Sequence, residues 1–159
     1  MKPEPVVAGD FEAISTLLVT AFGSSTCEAS LISSLRIARR PLLEWVIRDH
    51  ECITAYVAFT LAYRSFQTIG FHLAPVAVLP GNQRKGFGTA LIGHALLDPR
   101  LASSSIFVLG SPHFYSRFGF EHVERPLCPF DPGNAHFQAL RWSSQDLFSI
   151  GYEPEFTNA

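Results

Sequence analysis

Val76-Ala77-Val78-Leu79-Pro80-Gly81-Asn82-Gln83-Arg84-Lys85-Gly86-Phe87-Gly88-Thr89-Ala90-Leu91 is the stretch whose reading decides the fold. It runs as an apolar strand, a glycine-containing turn and the first turns of an amphipathic helix. Free amides at a helix N-terminus, reinforced by the helix dipole, attract an anion, and Gly86 and Gly88 carry no side chain that would hold a pyrophosphate away. Two phosphate loops fail to match. A P-loop needs Gly-x-x-x-x-Gly-Lys followed by Ser or Thr; Gly81 and Gly86 have that spacing, but Phe87-Gly88 stand where the lysine and hydroxyl belong. A dinucleotide fingerprint needs a small residue three after Gly88 and an acidic residue further on, where Leu91 and an apolar strand around Val108 stand instead.

Working outward, Phe11, Ile14, Leu17, Leu18 and Phe22 repeat at helical spacing behind Asp10, which predicts a helix capped by Asp10 and stopped at Gly23. A second helix is predicted over Cys27 to Ala38, with Leu31, Leu35 and Ile37 inward and Arg36, Arg39 and Arg40 as a solvated end. Three runs rich in β-branched and aromatic residues, Leu43 to Arg48, Cys52 to Ala62 and Gln67 to Val78, predict an antiparallel meander. The third contains Pro75, which cannot donate to a ladder, so pairing is interrupted there on one side. After the loop, a helix over Gly86 to Leu97 ends at Asp98-Pro99. The apolar Ser105 to Leu109 then completes a right-handed strand-helix-strand crossover. A short helix around Phe114 to Phe118 and strands near Glu121 and over His136 to Trp142 follow.

Gln83-x-x-Gly86-x-Gly88 after an apolar strand resembles the signature of the GNAT superfamily of N-acetyltransferases. The block Leu109-Gly110-Ser111-Pro112-His113-Phe114-Tyr115-Ser116-Arg117-Phe118-Gly119-Phe120-Glu121 is similar to that superfamily's second block, at the right separation. Leu73-Ala74-Pro75-Val76-Ala77-Val78 resembles the fourth strand of a subgroup of predicted acetyltransferases, and a looser resemblance runs from Asp10 to Phe156. It implies an α/β (α+β) GNAT fold. A mixed, mostly antiparallel sheet of six to seven strands is splayed between strands four and five and flanked by about four helices. It also implies acetyl-CoA as cosubstrate and no metal. Val76 and Val78 offer main chain to the pantetheine arm, and the Gln83, Arg84, Lys85, Gly86, Phe87, Gly88 and Thr89 segment receives the pyrophosphate. Arg84 and Lys85 either pair with phosphates or stay solvated. Tyr115 matches the general acid that protonates the leaving thiolate. For the base there is no motif. His72 shares a face with Val76 and Val78 by the strand period, as a base or as a packed histidine; Glu51, His136 and ordered water are further candidates. Arg117 is expected to hold its own turn.

Length and composition agree with one domain spanning residues 1–159. The chain is 47% hydrophobic and 16% charged, with 14 Phe, so it has material for a core and too little charge for disorder. A net charge of -2 provides no basic field for nucleic acid. With no signal segment and no apolar run of membrane-spanning length, a cytoplasmic address is expected. Cys27, Cys52 and Cys128 have no zinc or redox spacing and are expected to be reduced thiols, Cys128 being a remote nucleophile candidate. The partner expected from the resemblance is a small-molecule, peptide or protein amine, gripped by Ala21 to Arg40 and Cys128 to His136; a homodimer is common in such proteins. Rival readings are a silent acyl-CoA sensor and an interaction module with Phe22, Phe66 and Phe71 as an exposed patch.

Overall fold

A computed structural model describes residues 1–158. Seven strands, β1 (Pro3–Pro5), β2 (Leu43–Asp49), β3 (Cys52–Arg64), β4 (Gln67–Val78), β5 (Ile106–Leu109), β6 (Glu121–His122) and β7 (Phe137–Leu140), form one sheet in the order β1-β2-β3-β4-β5-β7-β6. β4 and β5 are parallel and every other pair is antiparallel. The helices are α1 (Phe11–Ala21), α2 (Cys27–Ile37), α3 (Phe87–Ala95), α4 (Pro99–Ala102) and α5 (Pro112–Tyr115). The short strand β1 and the one-turn α4 have no counterpart in the sequence reading. β1 is proline-bounded, and α4 starts where a helix stop was expected, because Asp98 also caps it by accepting from the Arg100 amide.

The meander follows from alternation: Ala55, Val57 and Phe59 of β3 pack on one face with Leu91, Ile92 and Ala95 of α3, while Tyr56 and Ala58 pack on the other with α1 and α2. α1 buries Ile14, Leu17 and Leu18 there, each contributing about 1.5–3 kcal/mol through loss of apolar surface to water.

Three local expectations need correction. Asp10 is the last residue of a 3-10 turn (Ala8–Asp10) rather than a side-chain cap of α1. Its buried carboxylate accepts from the Val7 amide at 3.0 Å and from Arg48 at 2.7 and 2.8 Å, so it ties the N-terminus to β2. Ile37 is 83% exposed because the inner stripe of α2 runs through Ala29, Leu31, Ile32 and Leu35. Arg36 and Arg40 are not solvated: Arg36 makes a two-pronged pair with Glu44 of β2, and Arg40 pairs with Glu155. A helix period cannot foresee carboxylates arriving from other elements.

Candidate functional site

The site begins where the sheet opens. β4 pairs with β5 only from Phe71 to Leu73, against Ile106 to Val108. On the β3 side, Val57 faces Val76 while Phe59 faces Leu73, so Ala58 stands opposite both Ala74 and Pro75, a β-bulge at a residue without an N–H. The interruption expected on one side of Pro75 therefore occurs on both. Beyond the bulge the Leu79 amide donates to Thr54 O of β3 at 2.9 Å. Strand alternation then directs the N–H and C=O of Val76 and Val78 away from β3, into the open side. The Val78 carbonyl accepts from the Gln83 side chain at 3.1 Å.

The bulge also changes faces. Phe71, Leu73, Val76 and Val78 all pack toward α3, so one extra residue has shifted the alternation. His72 lies on the opposite face and not, as the strand period predicts, beside Val76 and Val78. There it is buried, stacked on Tyr152 with ring centroids 3.6 Å apart, and its Nε2–H donates to Gly151 O at 3.0 Å. Its buried Nδ1 has no partner among the described residues. Burial lowers its pKa to about 4, against the weaker opposing effect of the Gly151 hydrogen bond, so the ring is neutral at pH 7.

At the start of α3, Gly86 adopts φ +86° and the first helical bond is Ala90 N–H to Gly86 O at 3.0 Å. The amides of Phe87, Gly88 and Thr89 thus have no partner within the helix. They border a cavity of about 480 Å³ that also touches Val76, Gln83, Arg84 and Arg117. Lys85 is exposed and does not border it. A Cβ on Gly88 would meet only Phe114 Cζ at 3.5 Å, an ordinary contact, so protein packing does not require glycine there. Gly86 needs glycine for its φ. Arg117 does hold its turn, donating to Phe114 O, but also reaches Thr89 Oγ1 at 3.2 Å, which places a cation at the helix start that the motif reading did not assign.

Tyr115 ends α5 with its ring against Gly110, where a Cβ would lie 2.6 Å from Cε2. It packs edge-on with Phe114 and Phe120, and burial pushes its phenol up to about 12. It borders a second cavity, of about 320 Å³, with Leu73 to Val76, Leu109, Phe22, Leu31 and Glu28. A third, of about 210 Å³, is bordered by His72, Phe107, Phe130, Tyr152 and Phe156. The first and second share Val76, and the second and third share Leu73, Ala74 and Leu109. Through these shared wall residues the three form a row of adjoining cavities, with Tyr115 bordering the middle one.

Other candidates fall away from this row. Glu51 and His136 do not border it. Cys128 is buried, 3.4 Å from the Tyr152 hydroxyl. Phe22, Phe66 and Phe71 form no patch: Phe66 is fully exposed alone, Phe71 packs on the core and Phe22 borders the middle cavity. A larger cavity, about 580 Å³, lies at the β6 edge among Glu121 to Arg125 and Arg141 to Gln145, away from the splay and without Tyr115. Among the described residues no three His, Cys, Asp or Glu side chains are grouped to hold a metal, and no helix is long and apolar enough to cross a membrane.

The acetyltransferase (GNAT) domain family matches residues 43–122, from β2 through the bulge, phosphate loop and Tyr115 block. The chain belongs to the GNAT family of acetyltransferases. This GNAT chain is 34% identical over 120 residues to the uncharacterized N-acetyltransferase YjhQ of Escherichia coli, an alignment covering 72% of the chain and 64% of that relative's length. Its fold is similar to E. coli YhbS, a GNAT family N-acetyltransferase in complex with CoA. The TM-score is 0.87 at 26% identity, over 98% of this chain and 91% of that one. It is also similar to a Brucella melitensis GNAT acetyltransferase in complex with acetyl-CoA. There the TM-score is 0.80 at 25% identity, over 97% and 96% of the two chains. The mixed seven-stranded sheet opened between β4 and β5 is the GNAT fold that the two sequence blocks implied.

Proposed function

We propose that this chain transfers the acetyl group of acetyl-CoA to a primary amine by direct attack. The observation that carries this is the row of cavities: free amides at one end, a protonated buried phenol in the middle and an apolar chamber at the other. Bound acetyl-CoA supplies an activated acyl group as a thioester. The Phe87, Gly88 and Thr89 amides, with Arg84 and Arg117 beside them, suit the pyrophosphate, and space above Gly88 that no protein atom requires is the fit such a group needs. The outward main-chain groups of Val76 and Val78 suit the amides of the pantetheine arm, as an added strand would.

An ammonium acceptor sheds two protons on becoming an amide, while the departing sulfur takes one, so each turnover releases one proton to solvent. Tyr115 is the donor to that sulfur. A phenol held near 12 keeps its proton at pH 7 and so stands ready as a donor; because a thiol titrates near about 8.5 the transfer is uphill, and it is completed when the phenolate takes back one of the two protons the amine sheds. His72 is assigned a structural role, since its one free lone pair belongs to a ring that binds protons weakly.

The test is thiol release from acetyl-CoA across an amine panel, with cofactor binding followed by calorimetry. Amine-dependent release is expected; tight binding with no release on any amine would turn the reading to a sensor.

A further inference from the structure

Resting on the acetyl-transfer reading, the acceptor end of the row can be taken further. Among the described residues, Glu28 is the only ionisable side chain besides Tyr115 that borders the middle cavity. Its Oε2 is buried and meets no hydrogen-bond donor among the described residues. Leaving a carboxylate oxygen buried without a donor is costly, and buried acceptors in folded proteins are nearly always satisfied. The other carboxylates that face inward here, Asp10, Glu44, Asp98, Asp131, Glu153 and Glu155, each accept at least one hydrogen bond, although Glu153 Oε2 is likewise buried without a donor. Glu28 has none, and it shares its cavity with the phenol that marks the reacting end.

The neighbouring chamber has the opposite character. Phe107, Phe130, Tyr152 and Phe156 border it, His72 is held neutral, and no charged side chain enters. Its volume, about 210 Å³, exceeds the roughly 150 Å³ of a dry apolar cavity that takes up benzene. A second cationic or multiply hydroxylated part of an acceptor would lose water there with nothing to replace it.

We propose that the acceptor is a small, singly charged primary amine on an aromatic or branched apolar group. Its ammonium is held by Glu28, and its apolar part lies between Phe130, Tyr152 and Phe156. Glu28 is a specificity residue that contacts the substrate, and the aromatic chamber selects what the amine is attached to.

The experiment compares 2-phenylethylamine and 3-methylbutylamine with spermidine, glucosamine and a lysine peptide blocked at its N-terminus and bearing a free ε-amine, in initial rates with saturating acetyl-CoA. The two apolar amines should exceed the other three in kcat/KM by about 100-fold, the discrimination an apolar pocket exerts when the rival must bury unpaired polar groups. Glu28→Gln should raise the KM for 2-phenylethylamine about 10-fold or more, since it removes a charge-assisted hydrogen bond, with the KM for acetyl-CoA unchanged. Calorimetry without acetyl-CoA gives an independent readout: 2-phenylethylamine should bind the wild type and lose affinity in Glu28→Gln, with Glu28→Asp recovering part of it. Faster transfer to spermidine, glucosamine or the lysine mimic overturns this assignment while acetyl transfer stands. An unchanged amine KM in Glu28→Gln overturns the role of Glu28. Acetyl-CoA binding without transfer to any amine overturns both this proposal and the function it rests on.

Discussion

The two ends of the cavity row, proposed as the donor and the acceptor end, are made from different materials. The first cavity is bordered mainly by one strand, one loop and one helix start close together in sequence, Val76 to Thr89, with the unpaired amides of Phe87, Gly88 and Thr89 among them, and by Phe114 and Arg117 from the Tyr115 block. The acceptor end is made of side chains: Phe22, Glu28 and Leu31 from the first helices, His72 and Ala74 from β4, and Phe130, Tyr152 and Phe156 from the C-terminal segment. A backbone site is specified by where glycine stands and where pairing stops, so it is tolerant of most surrounding side chains. A side-chain site is specified by each residue in it, and substitution there changes what is bound rather than whether the cofactor is.

That contrast can be broken most severely at Gly88. Gly88→Ala adds only an ordinary contact with Phe114 on the protein side, so the folded chain should persist with little change in melting temperature. It should weaken acetyl-CoA by about 1,000-fold, roughly 4 kcal/mol, through loss of amide hydrogen bonds to the anion. Calorimetry measures this directly, and undiminished affinity would remove the amide cradle from the argument.

His72 tests the acceptor side through pH. Its pKa is depressed in the folded chain, to about 4, and is near 6.5 when unfolded, so the unfolded state binds more protons between those values. Its contribution to stability is complete above 6.5 and is lost as pH falls toward 4, by about 3 kcal/mol in all. Urea midpoints between pH 7.5 and 4.5 should fall for the wild type and fall less for His72→Phe; equal slopes would mean that the chamber wall is not a neutral imidazole.

Tyr115→Phe sharpens the boundary between the two ends. It should lower kcat about 100-fold, the ordinary worth of a positioned acid, and leave acetyl-CoA affinity and amine KM nearly unchanged. Equal turnover in the two proteins would take the phenol out of the reaction. The smallest effect belongs to Asp98, remote from both ends. Asp98→Ala removes the α4 cap and should cost about 1 kcal/mol of stability in thermal melts with no change in either KM.

How much was legible follows the same division. The strand-loop-helix unit, the crossover to β5 and the Tyr115 turn all follow from periodicity and from glycine and proline placement, which act over a few residues. The face of His72 was misjudged because a two-residue period was carried through Ala74-Pro75, where the bulge inserts one residue and reverses every later side chain. Asp10 and Arg36 depart from the helix reading because their partners come from β2, and Ile37 because the inner stripe of α2 runs through Ala29, Leu31, Ile32 and Leu35. Glu28, Phe130 and Tyr152 carry no motif, and the only sequence signal was that Ala21 to Arg40 and Cys128 to His136 flank the expected acceptor.

Local sequence specifies a strand, a glycine loop and a helix with free amides at its start, and a tyrosine block after it. Those rest on backbone freedom, missing donors and helix-end dipoles, which neighbouring residues specify. The tertiary structure alone shows that the sheet opens toward β5 and bulges against β3 at Pro75, that three cavities adjoin beside it, and that an unpaired carboxylate oxygen and an aromatic chamber stand beyond Tyr115. Those depend on which distant side chains share a space once the core is packed, and no local pattern encodes that.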